Sequence, residues 1–190
     1  DDRVVFYGLG ASHWRGQGSD WVKNLYTRHN VYWLTWGGAR GRRIARGLPP
    51  DTFGARVVRT GRSVLRQEED RDCPARSGLL WIWTQMYKPG DREAATFDTD
   101  LDLQGVSTVN RVAGWVIADS ASNELNVRLN GRLLGEYRFN QSPPAAPFMF
   151  AADTAIPVNF GRNRLSLELR GTGTKRVHLD YLEGDFVRRL

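Results

Sequence analysis

Cysteine occurs once in this 190-residue chain, as Cys73, and lysine three times against 24 arginines. A lone cysteine excludes an intramolecular disulfide framework and any cysteine-rich zinc site. Long hydrophobic runs are also missing. Gly78-Leu79-Leu80-Trp81-Ile82-Trp83 falls far short of the roughly 20 residues that cross a bilayer as a helix, so no transmembrane segment is predicted. Helix-period patterning is scarce and confined to Asp20–Tyr26, with Ser19 or Asp20 as cap, and to Ser63–Asp70. The first residues, Asp1-Asp2-Arg3, carry no Met and no signal-like apolar stretch, which reads as a segment cut from a longer precursor.

Aromatic and turn-forming residues are plentiful. Phe, Trp and Tyr number 21, beside 20 glycines and eight prolines, a composition far from that of disordered chains. The length suits one domain, residues 1–190, with one core. Basic residues exceed acidic ones by 27 to 21, yet the arginines are dispersed. Their densest group, Arg40, Arg42, Arg43 and Arg46, reads as solvated loop or strand surface, so no nucleic-acid partner is expected.

Where a period can be read, it is two. Glu124-Leu125-Asn126-Val127-Arg128-Leu129 alternates as a half-buried strand must. Asn130-Gly131 then supplies two residues that tolerate positive φ, and Arg132 to Phe139 returns as the second strand of a hairpin. Leu165, Leu167 and Leu169 repeat the pattern after the turn at residues 159–163, and Val177, Leu179 and Tyr181 repeat it after Gly171-Thr172-Gly173. In the first half, Arg3–Tyr7, Asn30–Trp36, Ala55–Arg59 and Leu79–Tyr87 have strand composition. Ser142 to Pro147 reads as a loop. Many short strands with few helices predict an all-β fold, a jelly-roll (galactose-binding-like) β-sandwich of antiparallel strands.

Chemistry-bearing residues are weakly clustered. His178 and Asp180 share one side of an ideal strand and could form half of a triad. No Gly-x-Ser-x-Gly elbow accompanies them, and Cys73-Pro74 has no motif around it, so surface or interface polar roles fit better. Asp98, Asp100 and Asp102 would project from one strand face; Leu103 and Val109 stand where a calcium loop needs a glycine and a bidentate acid, and a solvated face fits better. In Glu68-Glu69-Asp70-Arg71-Asp72, a loop interleaved with arginine, Glu69, Asp70 and Asp72 are the candidate ligands of a structural calcium; no other cofactor is expected. Of seven tryptophans, Trp33, Trp36, Trp81 and Trp83 lie in stretches apolar on both faces and read as core. Trp14 and Trp21, among Gly, Gln, Ser and Asp, read as exposed on a loop and are candidate stacking platforms for a glycan.

Three stretches carry a family resemblance. Val4-Val5-Phe6-Tyr7-Gly8, with Asn24-Leu25-Tyr26-Thr27 and Asn30 to Gly37, resembles the segment just ahead of the catalytic domain in gingipain-related cysteine peptidases and the type IX secretion sortase group. Asn126 to Gly131 with Gly135, and then Phe160-Gly161-Arg162-Asn163-Arg164-Leu165, is similar to a pattern of galactose-binding-like accessory domains. Val177 to Glu183, with Phe186, Arg188 and Arg189, resembles the strand that leads into the peptidase. The resemblance implies a noncatalytic β-sandwich in a secreted or cell-surface bacterial protein, partnered by neighbouring domains of the same polypeptide, among them a cysteine peptidase domain. It carries over no catalysis: the family's His-Gly pair is missing, since His13, His29 and His178 precede Trp14, Asn30 and Leu179. A carbohydrate-binding module that targets a parent enzyme is the alternative.

Overall fold

Alternating apolar residues bounded by Gly, Asn and Pro turns close into a β-sandwich in the C-terminal two thirds of the chain. The computed structural model describes residues 7–15, 20–24, 26–35, 37, 54, 57–74, 76, 80–140, 147–159 and 161–190. The chain falls into two units, Asp1–Val57 and Val58–Leu190.

In the first unit, β1 (His13–Arg15) and β2 (Asp20–Val22) form an antiparallel pair. This replaces the helix expected from Asp20: β2 takes its hydrogen bonds from β1. Asn24 then turns the chain, its Oδ1 accepting from the amides of Tyr26 (2.9 Å) and Thr27 (3.1 Å). The expected strand from Asn30 is also corrected, because residues 30–35 join no ladder and Trp33 is 90% exposed rather than in a core. Strand propensity is realised only against a partner strand. The expected strand over Arg3–Tyr7, apart from Tyr7, lies outside the described residues, as do Ser19, Trp36, the arginine group at 40–46, Ala55, Leu79 and residues 142–146.

The second unit contains β3 (Thr60–Glu68), β4 (Thr84–Lys88), β5 (Ala95–Asp102), β6 (Val106–Ala118), β7 (Asn123–Leu129), β8 (Arg132–Phe139), β9 (Pro147–Pro157), β10 (Arg162–Arg170) and β11 (Lys175–Arg189). From β4 onward the pairing is that of a rolled hairpin: β4 with β11, β5 with β10, β6 with β9 and β7 with β8. Cross-pairing of β7 with β10 and β6 with β11 yields two sheets, ordered β5-β10-β7-β8 and β4-β11-β6-β9, which is the jelly roll. β3 continues the edge beyond β4, pairing with the C-terminal stretch of β11 from Glu68↔Tyr181 to Thr60↔Arg189. The helix expected over Ser63–Asp70 is therefore a strand, its local propensity overridden by a long-range ladder. The strand expected over Ala55–Arg59 begins only at Thr60, and that over Leu79–Tyr87 at Thr84.

The core lies between the sheets. Leu125, Val127, Leu129, Leu165, Leu167 and Leu169 from one sheet meet Val109, Val112, Val116, Phe150, Val177 and Leu179 from the other, all at most 1% exposed. Burial of each such side chain contributes about 1.5–3 kcal/mol. Trp83, 7% exposed, joins this core edge-on to Phe97 at 5.2 Å, whereas Trp81 is only half-buried. The β7–β8 hairpin turns on Asn130 (φ 52°) and Gly131 (φ 81°), as their sequence requires.

Candidate functional site

The register of β11 sets the site. Val177 and Leu179 face the core, but the ladder to β6 shifts between Leu179 and Tyr181, and thereafter Leu182 and Phe186 face inward. A bulge at Asp180 flips the parity of the strand. Tyr181, expected in the core, is thus turned to the outer face of the larger sheet. There its ring lies 6.2 Å from that of Trp115, its cross-strand partner, at an interplanar angle of 19°. The Arg66 guanidinium lies 3.4 Å from the Tyr181 ring centre. Arg66 donates to Glu68 Oε2 (2.8 Å) and to Glu183 Oε1 (2.5 Å). Beside Trp115 in register stands Met149, 57% exposed, and along β6 it is flanked by buried Ala113 and Ile117.

The electrostatics follow from this packing. Burial opposes the charge of Arg66, but Glu68 and Glu183 outweigh it and raise its pKa above the ordinary guanidinium value. Burial, then Glu183, pushes the Tyr181 phenol up, against an opposing influence from Arg66. The result is an aromatic pair with an ion-paired arginine against the Tyr181 ring.

The outer face of the smaller sheet is lined by ion pairs. Asp98, Asp100 and Asp102 do project together from β5 into solvent, as expected of a solvated face. Ser166 Oγ donates to Asp98 (2.5 Å), and Arg162 and Arg164 stand 3.6 and 3.8 Å from Asp100. Arg128 and Arg170 flank Glu168, and Arg138 approaches Glu124. This face neutralises itself with cross-strand ion pairs.

His178 and Asp180 are not surface residues: they are 8% and 7% exposed. His178 Nε2 pairs with Asp119 Oδ2 at 2.8 Å, while its Nδ1 is buried with no hydrogen-bond partner. Among the described residues, no hydroxyl or thiol therefore stands at the second ring nitrogen to complete the His178–Asp119 pair as a nucleophile. Cys73 is half-buried in the loop before β4.

The other sequence candidates are placed as follows. Trp14 and Trp21 stand on strands rather than on a loop. They are cross-strand partners, half-buried, with ring centres 5.1 Å apart and planes tilted by 60°. Glu69, Asp70 and Asp72 are exposed; Arg71 engages Glu69 at 2.6 Å, and the backbone of Asp72 bridges to Ile82. The structure does not bring these three together: among the described residues, no three His, Cys, Asp or Glu side chains are grouped so as to hold a metal ion. Sequence reasoning passed over Trp115 and Arg66. A usable signal was the phase change in β11, where apolar residues move from 177 and 179 to 182 and 186.

No helix among the described residues is long and apolar enough to cross a membrane. Neither a protein-family model nor a curated protein sequence matches the chain. Among solved structures it is similar to dimeric latent PorU from Porphyromonas gingivalis, with a TM-score of 0.58 and 16% identity over 72% of this chain. That match spans 13% of the PorU chain. The CBM36 carbohydrate-binding module solved with calcium and xylotriose gives a TM-score of 0.40 at 13% identity, covering 67% of this chain and 99% of the module. The C-terminal CBM6 of LamC from Zobellia galactanivorans gives 0.40 at 11%, covering 66% and 99%. The likeness to PorU is one of fold.

Proposed function

We propose that this chain is a noncatalytic accessory domain of a larger secreted protein, and that it packs against and positions a neighbouring gingipain-like cysteine peptidase domain. The observation that carries this reading is the patch on the outer face of the larger sheet. It presents the Trp115–Tyr181 pair and exposed Met149 beside ion pairs, the aromatic and Met composition enriched at protein interfaces. The sequence resemblance to the gingipain-related group and the backbone likeness to PorU support the same reading. Catalysis by this chain is disfavoured by the lone His178–Asp119 pair.

The test is calorimetric titration of the chain with a recombinant gingipain-like peptidase domain, using wild type and Trp115→Ala. Saturable binding weakened at least tenfold by the substitution supports the proposal. No binding, or peptidase activity of the isolated chain abolished by Cys73→Ala or His178→Ala, defeats it.

A second reading, a glycan-binding module, is favoured by the near-parallel planes of Trp115 and Tyr181, which suit a pyranose face better than the tilted Trp14–Trp21 pair. Under it, oligosaccharides quench tryptophan fluorescence in wild type but not in Trp115→Ala. Silence across a glycan array discards this reading.

A further inference from the structure

Two of the three lysines end where charged side chains are seldom found. Lys88, 1% exposed, closes β4, and Lys175, 6% exposed, opens β11; they are direct cross-strand partners at one end of the sandwich. A buried ammonium is costly unless its hydrogens are bonded and its charge is compensated. Among the described residues, no carboxylate pairs with either ammonium. Lys88 Nζ donates to the carbonyl oxygens of Pro89 (3.3 Å) and Arg92 (2.9 Å), and Lys175 Nζ to that of Ala121 (2.6 Å). Backbone carbonyl oxygens, two at Lys88 and one at Lys175, are the acceptors these ammonium groups have instead.

The backbone is shaped around these groups. Gly171, at φ 118°, has no room for a Cβ, which would lie 2.9 Å from Lys175 Cε and 2.7 Å from the Ser122 carbonyl oxygen. In a chain that otherwise uses arginine, lysine fits here because a point-like ammonium can sit among carbonyls where a planar five-donor fork cannot.

We infer that Lys88 and Lys175 are the internal cross-links of this end of the sandwich: their buried ammonium groups are held by backbone carbonyl oxygens rather than by carboxylates. They tie the Pro89–Arg92 turn and the loop at Ala121 to the β4–β11 ladder, so this end keeps its shape without a metal ion.

Thermal melts of the 190-residue chain test it with Lys88→Ala and Lys175→Ala, in methylammonium chloride and in tetramethylammonium chloride at equal ionic strength. Each variant should melt at least about 5 °C below wild type. Methylammonium, but not the bulkier ion, should restore part of the loss, and calcium or EDTA should leave the wild-type melt unmoved. A variant as stable as wild type, equal effects of the two ions, or a wild-type melt raised by calcium and lowered by EDTA overturns the inference. Where the variants do not fold, amine acylation of the native chain decides. Lys88 and Lys175 should stay unmodified while half-buried Lys23 reacts, and equal reaction of all three overturns the inference.

Discussion

Replacing Arg66 by Met keeps the buried stem and removes the guanidinium that joins β3 to β11. Arg66 is 10% exposed, Glu68 13% and Glu183 25%, so the lost bonds are only partly screened by water. Hydrogen bonds to charged groups contribute about 1.5–3 kcal/mol each, and contact with the Tyr181 ring adds about 0.5–1 kcal/mol. Two carboxylates on adjacent strands also lose the guanidinium that stands between them. After a discount for partial exposure, the expected loss is about 3 kcal/mol. In a chain of this size that lowers the midpoint by about 6–12 °C, read by thermal and urea unfolding. Adding Glu68→Gln and Glu183→Gln should return more than half of the loss, because the strain is then electrostatic. Arg66 also holds the Tyr181 phenol down, so in the variant tyrosinate formation should move to higher pH. A loss under about 0.5 kcal/mol, or one that the two Gln substitutions leave unchanged, would refute the reasoning.

Three further outcomes are expected. Asn163, 1% exposed, accepts from Asn130 Nδ2 and the Asn159 amide and donates to the carbonyls of Asn159 and Gly161, so Asn163→Ala should cost about 3 kcal/mol in urea unfolding. In Gly114→Ala the new methyl would collide with Phe150 Cζ and lie 2.9 Å from Leu182 Cδ2 in the packed core; a loss of about 3 kcal/mol is expected, and a neutral result would show that Phe150 can move aside. Burial raises the folded-state pKa of Tyr181 and of Tyr137, the latter helped by Asp153. A raised pKa stabilises the fold fully below the unfolded value of about 10 and loses that contribution as pH climbs through the folded value. Stability should therefore fall above about pH 10, and less steeply in Tyr181→Phe.

Much of the sandwich was legible because its signals are local. The period-two strands β7, β8 and β10 lie where alternation puts them, and Asn130-Gly131 forms its hairpin because both residues accept positive φ. The two short motifs around Asn130 and Asn163 prove to be one device. Asn130 Nδ2 bonds Asn163 Oδ1 at 2.8 Å, and its Oδ1 accepts from the Arg164 amide at 2.9 Å, locking hairpin to strand. The helices expected at Asp20 and Ser63 failed for the opposite reason: ladder partners outside the window outweigh a propensity of tenths of a kcal/mol per residue.

By itself, then, the amino-acid order determined the all-β class, the alternating core and the turns, since backbone conformational preference and the two faces of a strand are properties of neighbouring residues. Only the tertiary structure decided which residues meet. A one-residue bulge at Asp180 turned Tyr181 out of the core toward Trp115 and Arg66, and burial paired His178 with Asp119 rather than Asp180. Those outcomes depend on register and on strands more than 50 residues away, which no local pattern encodes.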